Sequence, residues 1–136
     1  MKRFYLDPIF YVMLFGAVPV VGWLHIFVPS AYPVERSSLV MLVVLYPVLE
    51  EYFFRGIIQP LVGVRLPLKY SIISVANLTT SLLFALFHLV NQPPLWALFT
   101  FFPSLVFGYS YERHTSILAP ISIHVFYNLC FFYLLY

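Results

Sequence analysis

The sequence predicts an all-α protein, a polytopic bundle of about five membrane-spanning helices. Three observations lead there. The 136 residues are 62% hydrophobic and only 9% charged, where a soluble domain of this size has roughly a quarter of its residues charged. Mean hydropathy is +0.94. Apolar runs of about 20 residues, the length that crosses a hydrocarbon core, recur along the chain between short breaks.

The elements follow in order. No shift of composition divides the chain, so 1–136 reads as one transmembrane domain. The first span covers about 8–29, closed by the turn Pro29-Ser30-Ala31-Tyr32-Pro33. Met1-Lys2-Arg3 before it imitates a signal peptide, but no small-residue cleavage site follows, and a retained anchor is expected. The second span covers about 37–59 and ends near Pro60. Between Lys69 and Glu112 there is no Asp, Glu, Lys or Arg. Asn91-Gln92-Pro93-Pro94 splits that stretch into spans at about 70–90 and 95–111, and the fifth covers about 116–136. Helices satisfy their own backbone groups, as the bilayer requires.

Cationic residues set the direction. Lys2, Arg3, Arg65, Lys69 and Arg113 fall on one side of these spans, and only Arg36, beside Glu35, falls on the other. The positive-inside rule therefore predicts a cytoplasmic N-terminus. A net charge of +2, scattered along the chain, excludes a nucleic-acid partner; the lipid bilayer is the expected surrounding. The lone Cys130 allows no internal disulfide and reads as a small buried hydrophobe. Trp23, Trp96 and Tyr136 fit an interfacial aromatic belt. His25 is expected at the interface, and His114, beside Glu112 and Arg113, in a solvated inner loop.

Polar groups inside the apolar spans carry the functional signal, because an ionisable side chain at a span's centre costs about 2.5–3.5 kcal/mol. The second span holds Glu50-Glu51-Tyr52-Phe53-Phe54-Arg55. Glu51 and Arg55, four apart, share a face and can pair, and Gln59 continues their stripe. Glu50 is turned about 100° away, on the side of Tyr46 and Phe54, with no local cation. One carboxylate is thus compensated and the other left free for general base work. Pro47 is expected to bend the helix beside them. The third span carries His88 on a stripe with Asn77, Ser81 and Phe84. The fifth carries His124 and Asn128 on one face, a reasonable pair of donors for an oxyanion.

These clusters resemble the CPBP family of intramembrane endopeptidases, also called Abi proteins, which includes the type II CAAX prenyl proteases. The family pattern is E-E-x-x-x-R, then F-x-x-x-H, then H-x-x-x-N, on successive helices. Here it stands as Glu50-Glu51-Tyr52-Phe53-Phe54-Arg55, Phe84-Ala85-Leu86-Phe87-His88 and His124-Val125-Phe126-Tyr127-Asn128, within a family-like core of about 37–136. The resemblance implies hydrolysis of a peptide bond in a membrane-anchored protein or peptide, in a bacterial or archaeal cell membrane. It implies that Glu50 activates water with help from His88, that His124 and Asn128 form the oxyanion hole, and that Glu51, Arg55 and Phe84 support them. The glutamate mechanism without a cofactor is favoured. The alternative is a zinc enzyme ligated by Glu50, His88 and His124, although H-E-x-x-H is absent. Five spans are few for this family, which points to a homo-oligomer or to short, simple substrates.

Competing readings are a proton-coupled transporter, since intramembrane carboxylates and histidines also mark ion paths, and a non-catalytic protein of the bacteriocin-immunity type. A rhomboid-like G-x-S-x-G is missing, and the only Asp, Asp7, cannot supply a presenilin-like pair. One geometric difficulty remains. Simple counting puts Glu50 about 20 Å inside its span but His88 near the end of 70–90. A common site requires that third span to start deeper, tilt or be interrupted, or Asn91–Pro94 to lie in a sunken cavity.

Overall fold

The structure is a computed structural model that describes residues 3–27 and 36–135. Lys2, the turn over 29–33, Glu35 and Tyr136, together with the Arg36 side chain, lie outside the described residues. The chain is helical almost throughout. Helices α1 (Pro8–Phe15) and α2 (Ala17–Phe27) are joined at Gly16. The break lies just before Pro19, whose missing N–H cannot serve the Phe15 carbonyl. Asp7 caps α1 by accepting from the Ile9 N–H at 3.0 Å, which satisfies one of the orphan donors of the first turn.

A long rod then runs through α3 (Arg36–Val40), α4 (Tyr46–Phe53) and α5 (Gln59–Arg65), with π-helical turns at Met41–Leu45 and Phe54–Ile58 between them. Each π turn is followed by proline at the second residue of the next helix, Pro47 and Pro60. A proline ring crowds the carbonyl four residues back and offers no N–H, so the turn widens. The two widened turns bracket Glu50 and Glu51 and set the direction in which they face.

Strands β1 (Lys69–Tyr70) and β2 (Ile73–Ser74) form a two-residue hairpin, pairing Lys69 with Ser74 and Tyr70 with Ile73. Ser71 at φ 57° turns the corner. Helix α6 (Val75–His88) follows, then α7 (Pro94–Phe99), α8 (Phe101–His114) and α9 (Leu118–Leu135). The helix expected over 70–90 thus begins only at Val75, because residues 69–74 are spent on the hairpin. The one expected over 95–111 is two helices, separated at Thr100.

That late start removes the depth difficulty. Measured from the end that carries Arg65 and the hairpin, Glu50 and His88 each lie about 20 Å along their helices at 1.5 Å per residue. Glu112 of α8 locks the arrangement, accepting from Gln59 Nε2 at 2.7 Å and from the Ser74 hydroxyl. Ser74 in turn caps α6 through the Asn77 N–H at 2.8 Å. Gly108 permits close approach of α8: a Cβ there would stand 1.9 Å from Asn77 Oδ1. Asn77 cannot move aside cheaply, since it bonds Leu105 O at 3.0 Å and Ser81 Oγ at 3.1 Å.

Helix α9 is the central element, packed on α1, α2, α4 and α8. Phe10, Met13, Phe107, Ala119 and Ile123 form one buried cluster. Ala17 and Val21 form another, with Tyr127 and Cys130 against it. Outside that core the surface is strongly apolar: Val12, Ile26, Leu61, Val64, Val90 and Phe102 are all exposed, as expected of faces solvated by lipid tails. Pro8–Phe27 is long and apolar enough to cross a membrane on its own, and Val75–His88 and Leu118–Tyr133 are shorter apolar helices.

At one end, Arg113 Nε donates to Asp7 Oδ2 at 2.6 Å and His114 Nε2 stands 3.3 Å from the same oxygen. The expectation that His114 is solvated fails, because the Phe4 and Phe10 rings pack against it and it is buried. The Arg113 hydrogen bond holds the Asp7 carboxyl down at about 2, against an ordinary 3.8. Between those values the unfolded chain binds more protons than the folded one, so stability rises with pH there. The contribution is complete above about pH 4 and is lost as pH falls toward 2. Asp7→Asn should therefore flatten the pH dependence of the unfolding temperature in detergent across that window. An unchanged slope would refute the contact.

Candidate active site

Glu51 is the centre of the site. It is fully buried, with Oε2 3.3 Å from Arg55 Nε on its own rod and Oε1 2.9 Å from His124 Nδ1 on α9. A carboxylate only accepts, so Nδ1 of His124 carries a proton and Nε2 is turned the other way. That second nitrogen faces Glu50, 3.7 Å from its Oε2. His124 therefore stands between the two adjacent carboxylates, its two ring nitrogens turned to Glu51 and to Glu50.

Arg55 is held from three directions. Its Nη2 donates to the Ser104 carbonyl at 2.7 Å and to the Ser104 hydroxyl. Its guanidinium lies 5.0 Å from the Phe84 ring, 5.7 Å from Phe107 and 6.0 Å from Phe54, distances at which ring quadrupoles attract a cation. The same rings hold the histidines. Phe107 stacks on His124 at 4.5 Å, while Phe84 lies 4.4 Å from His88 and 5.8 Å from His124.

His88 ends α6, and its Nδ1 lies 2.9 Å from the Phe84 carbonyl. A carbonyl also only accepts, so Nδ1 donates and Nε2 of a neutral ring keeps its lone pair. His124, His88, Glu51 and Arg55 all lie near enough to Glu50 to act on it electrostatically, so these groups surround one carboxylate. Asn128, a turn beyond His124, donates Nδ2 to the Leu42 carbonyl at 2.8 Å. That carbonyl lies in the first π turn, where Tyr46 N–H bonds Met41 O. The next donor in this register would be Pro47, which has none. One amide hydrogen of Asn128 thus satisfies a carbonyl that the proline orphans, and the other remains.

Glu50 opens onto a cavity of about 380 Å³ walled by Tyr46, Leu49, Phe53, Phe54 and Phe87, with Asn91 at its side. Among the described residues no three His, Cys, Asp or Glu side chains stand together as a metal-holding group. The Nδ1 atoms of His88 and His124 are engaged by the Phe84 carbonyl and the Glu51 carboxylate, which leaves Nε2 as the available nitrogen of each ring.

The chain matches the Rce1-like family of type II CAAX prenyl endopeptidases over residues 33–130. It belongs to that family. Comparisons with curated proteins and with solved structures returned no match. Membership agrees with the resemblance carried by the three motifs, and makes the chain a helical protein embedded in the membrane and related to proteases.

Sequence reading left α8 without a role, yet Ser104 and Phe107 complete the site. The available signal was spacing: Ser104, Gly108 and Glu112 recur every four residues on an apolar helix, which places one small-polar stripe against the interior. Losing Arg55 should be costly, because removing one partner of a buried pair destabilises by about 3–5 kcal/mol. Arg55→Leu is expected to show that loss in detergent unfolding, and Glu51→Gln/Arg55→Leu to recover much of it. A double variant as weak as the single one would show that a stranded carboxylate is not the cause.

Proposed function

We propose that this protein is an intramembrane endopeptidase that hydrolyses a peptide bond in a membrane-associated protein or peptide, with Glu50 as the general base. One observation carries the reading: Glu50 opens onto an apolar cavity while His124, anchored by Glu51, is turned toward it. Two acceptors, the Glu50 carboxylate and Nε2 of His88, hold a water by its two hydrogens. Its oxygen attacks the scissile carbonyl carbon, its proton passes to Glu50, and the carbonyl electrons move onto oxygen. His124, as imidazolium, donates from Nε2 to that oxyanion, and the remaining Asn128 amide hydrogen adds a second donor. Collapse re-forms the carbonyl and breaks the C–N bond, and Glu50 returns its proton to the departing amine. Glu51 holds His124 in the orientation this needs, and Arg55 holds Glu51. No metal takes part in this scheme.

The spans we assign are five, with a cytoplasmic N-terminus. Supporting this, the Asp7–Arg113 and Gln59–Glu112 contacts bring Arg3, Arg65, Lys69 and Arg113 toward one end of the bundle, as the positive-inside rule asks. The family's name points to a prenylated C-terminal tail as the first substrate to test.

In proteoliposomes, cleavage of a farnesylated peptide ending in a CAAX sequence should fall by about 10²–10⁴-fold in Glu50→Gln, the range of a general base, while the unfolding temperature holds. Equal rates in the variant would sink the mechanism. Loss of wild-type activity on chelation, restored by zinc, would replace it with a metal-dependent one.

A further inference from the structure

The cavity beside Glu50 has a second polar group that the proposed chemistry does not use. Asn91 follows His88 in the turn between α6 and α7, its backbone N–H bonded to the His88 carbonyl at 3.2 Å. Its side chain lines the cavity together with Glu50 and makes no hydrogen bond to any described residue. The remaining walls are Tyr46, Leu49 and Phe53 of α4, Phe54 of the second π turn and Phe87 of α6, all but Phe54 exposed on the apolar surface. A peptide entering from that side gives up water on its backbone N–H and C=O groups, and each costs free energy if left unpaired. Tyr46 brings a single hydroxyl to the cavity, whereas the Asn91 carboxamide sets a donor and an acceptor on separate atoms side by side, the complement of one peptide unit. The short link to His88 also ties the position of that carboxamide to the water-orienting histidine.

We propose that Asn91 is a substrate-binding residue whose carboxamide pairs with one backbone peptide unit of the substrate in the cavity beside Glu50. The proposal rests on the endopeptidase reading of that cavity. It makes the register of the substrate a property of backbone pairing, with the aromatic walls receiving the side chains on either side.

The test uses the farnesylated CAAX peptide and a set of analogues in which single backbone amides are replaced by esters, so that one N–H is lost at each position in turn. With the full-length protein in proteoliposomes, Asn91→Ala should raise KM about tenfold, the effect of losing a buried hydrogen-bonded pair, with kcat within about twofold. Peptide affinity measured by fluorescence should weaken to the same extent, and Asn91→Gln should restore part of it. At one ester position the analogue and Asn91→Ala should each weaken binding, but no further when combined; elsewhere the two effects should add. Additive effects at every position, or equal affinity of wild type and Asn91→Ala, would overturn the proposal. Asn91 is exposed, so the unfolding temperature should not move, and a large drop would assign the residue to folding instead. A wild-type protein that binds the peptide through Asn91 without cleaving it would support the contact and overturn the endopeptidase reading, so the two can fail separately.

Discussion

The buried Glu51 carboxylate is the constraint on which the rest of the site depends. A charge placed in an apolar bundle must be compensated on every side, and Glu51 recruits three helices to do so. Arg55 supplies the cation from its own rod, His124 reaches in from α9, and Ser104 of α8 holds the guanidinium. Phe54, Phe84 and Phe107 enclose that guanidinium, and two of those rings also pack on the histidines. A shift of any of these helices would strand a charge. The polar network therefore fixes the relative axial positions of helices whose apolar surfaces alone would slide.

Proline has a comparable part in the backbone. Pro47 and Pro60 each follow a π turn, and the short α-helical segment between those turns carries both glutamates. A regular helix there would leave Leu42 served by its own backbone. The widened turn instead exposes the Leu42 carbonyl, and Asn128 from α9 occupies it. One residue thereby joins a structural duty, tying α9 to the rod, to a place one turn from His124. An asparagine can do both because its amide carries two hydrogens.

Much of this was legible in the sequence. Composition and run length indicated membrane helices. Helical spacing separated Glu50 from Glu51 and grouped His124 with Asn128, because the angle between residues of one helix is nearly invariant. The motif order pointed to the family that the match over 33–130 supports. The depth of His88 stayed open in the sequence for an identifiable reason: the Lys69–Ser74 hairpin consumes residues that look like the start of an apolar span. His114 was misread because its neighbours in sequence are charged and suggest a solvated loop, while in space the Phe4 and Phe10 rings cover it beside Asp7.

By itself, then, the sequence determined which residues share a helical face and how costly each polar group would be in lipid. Those quantities depend only on local geometry and side-chain chemistry. The tertiary structure alone decided that His124 stands between both carboxylates, that Ser104 and Phe107 complete the cage, and that Asn91 joins Glu50 at one cavity. Each of these is a distance between helices, set by where turns interrupt them and how far they slide before their buried charges are matched.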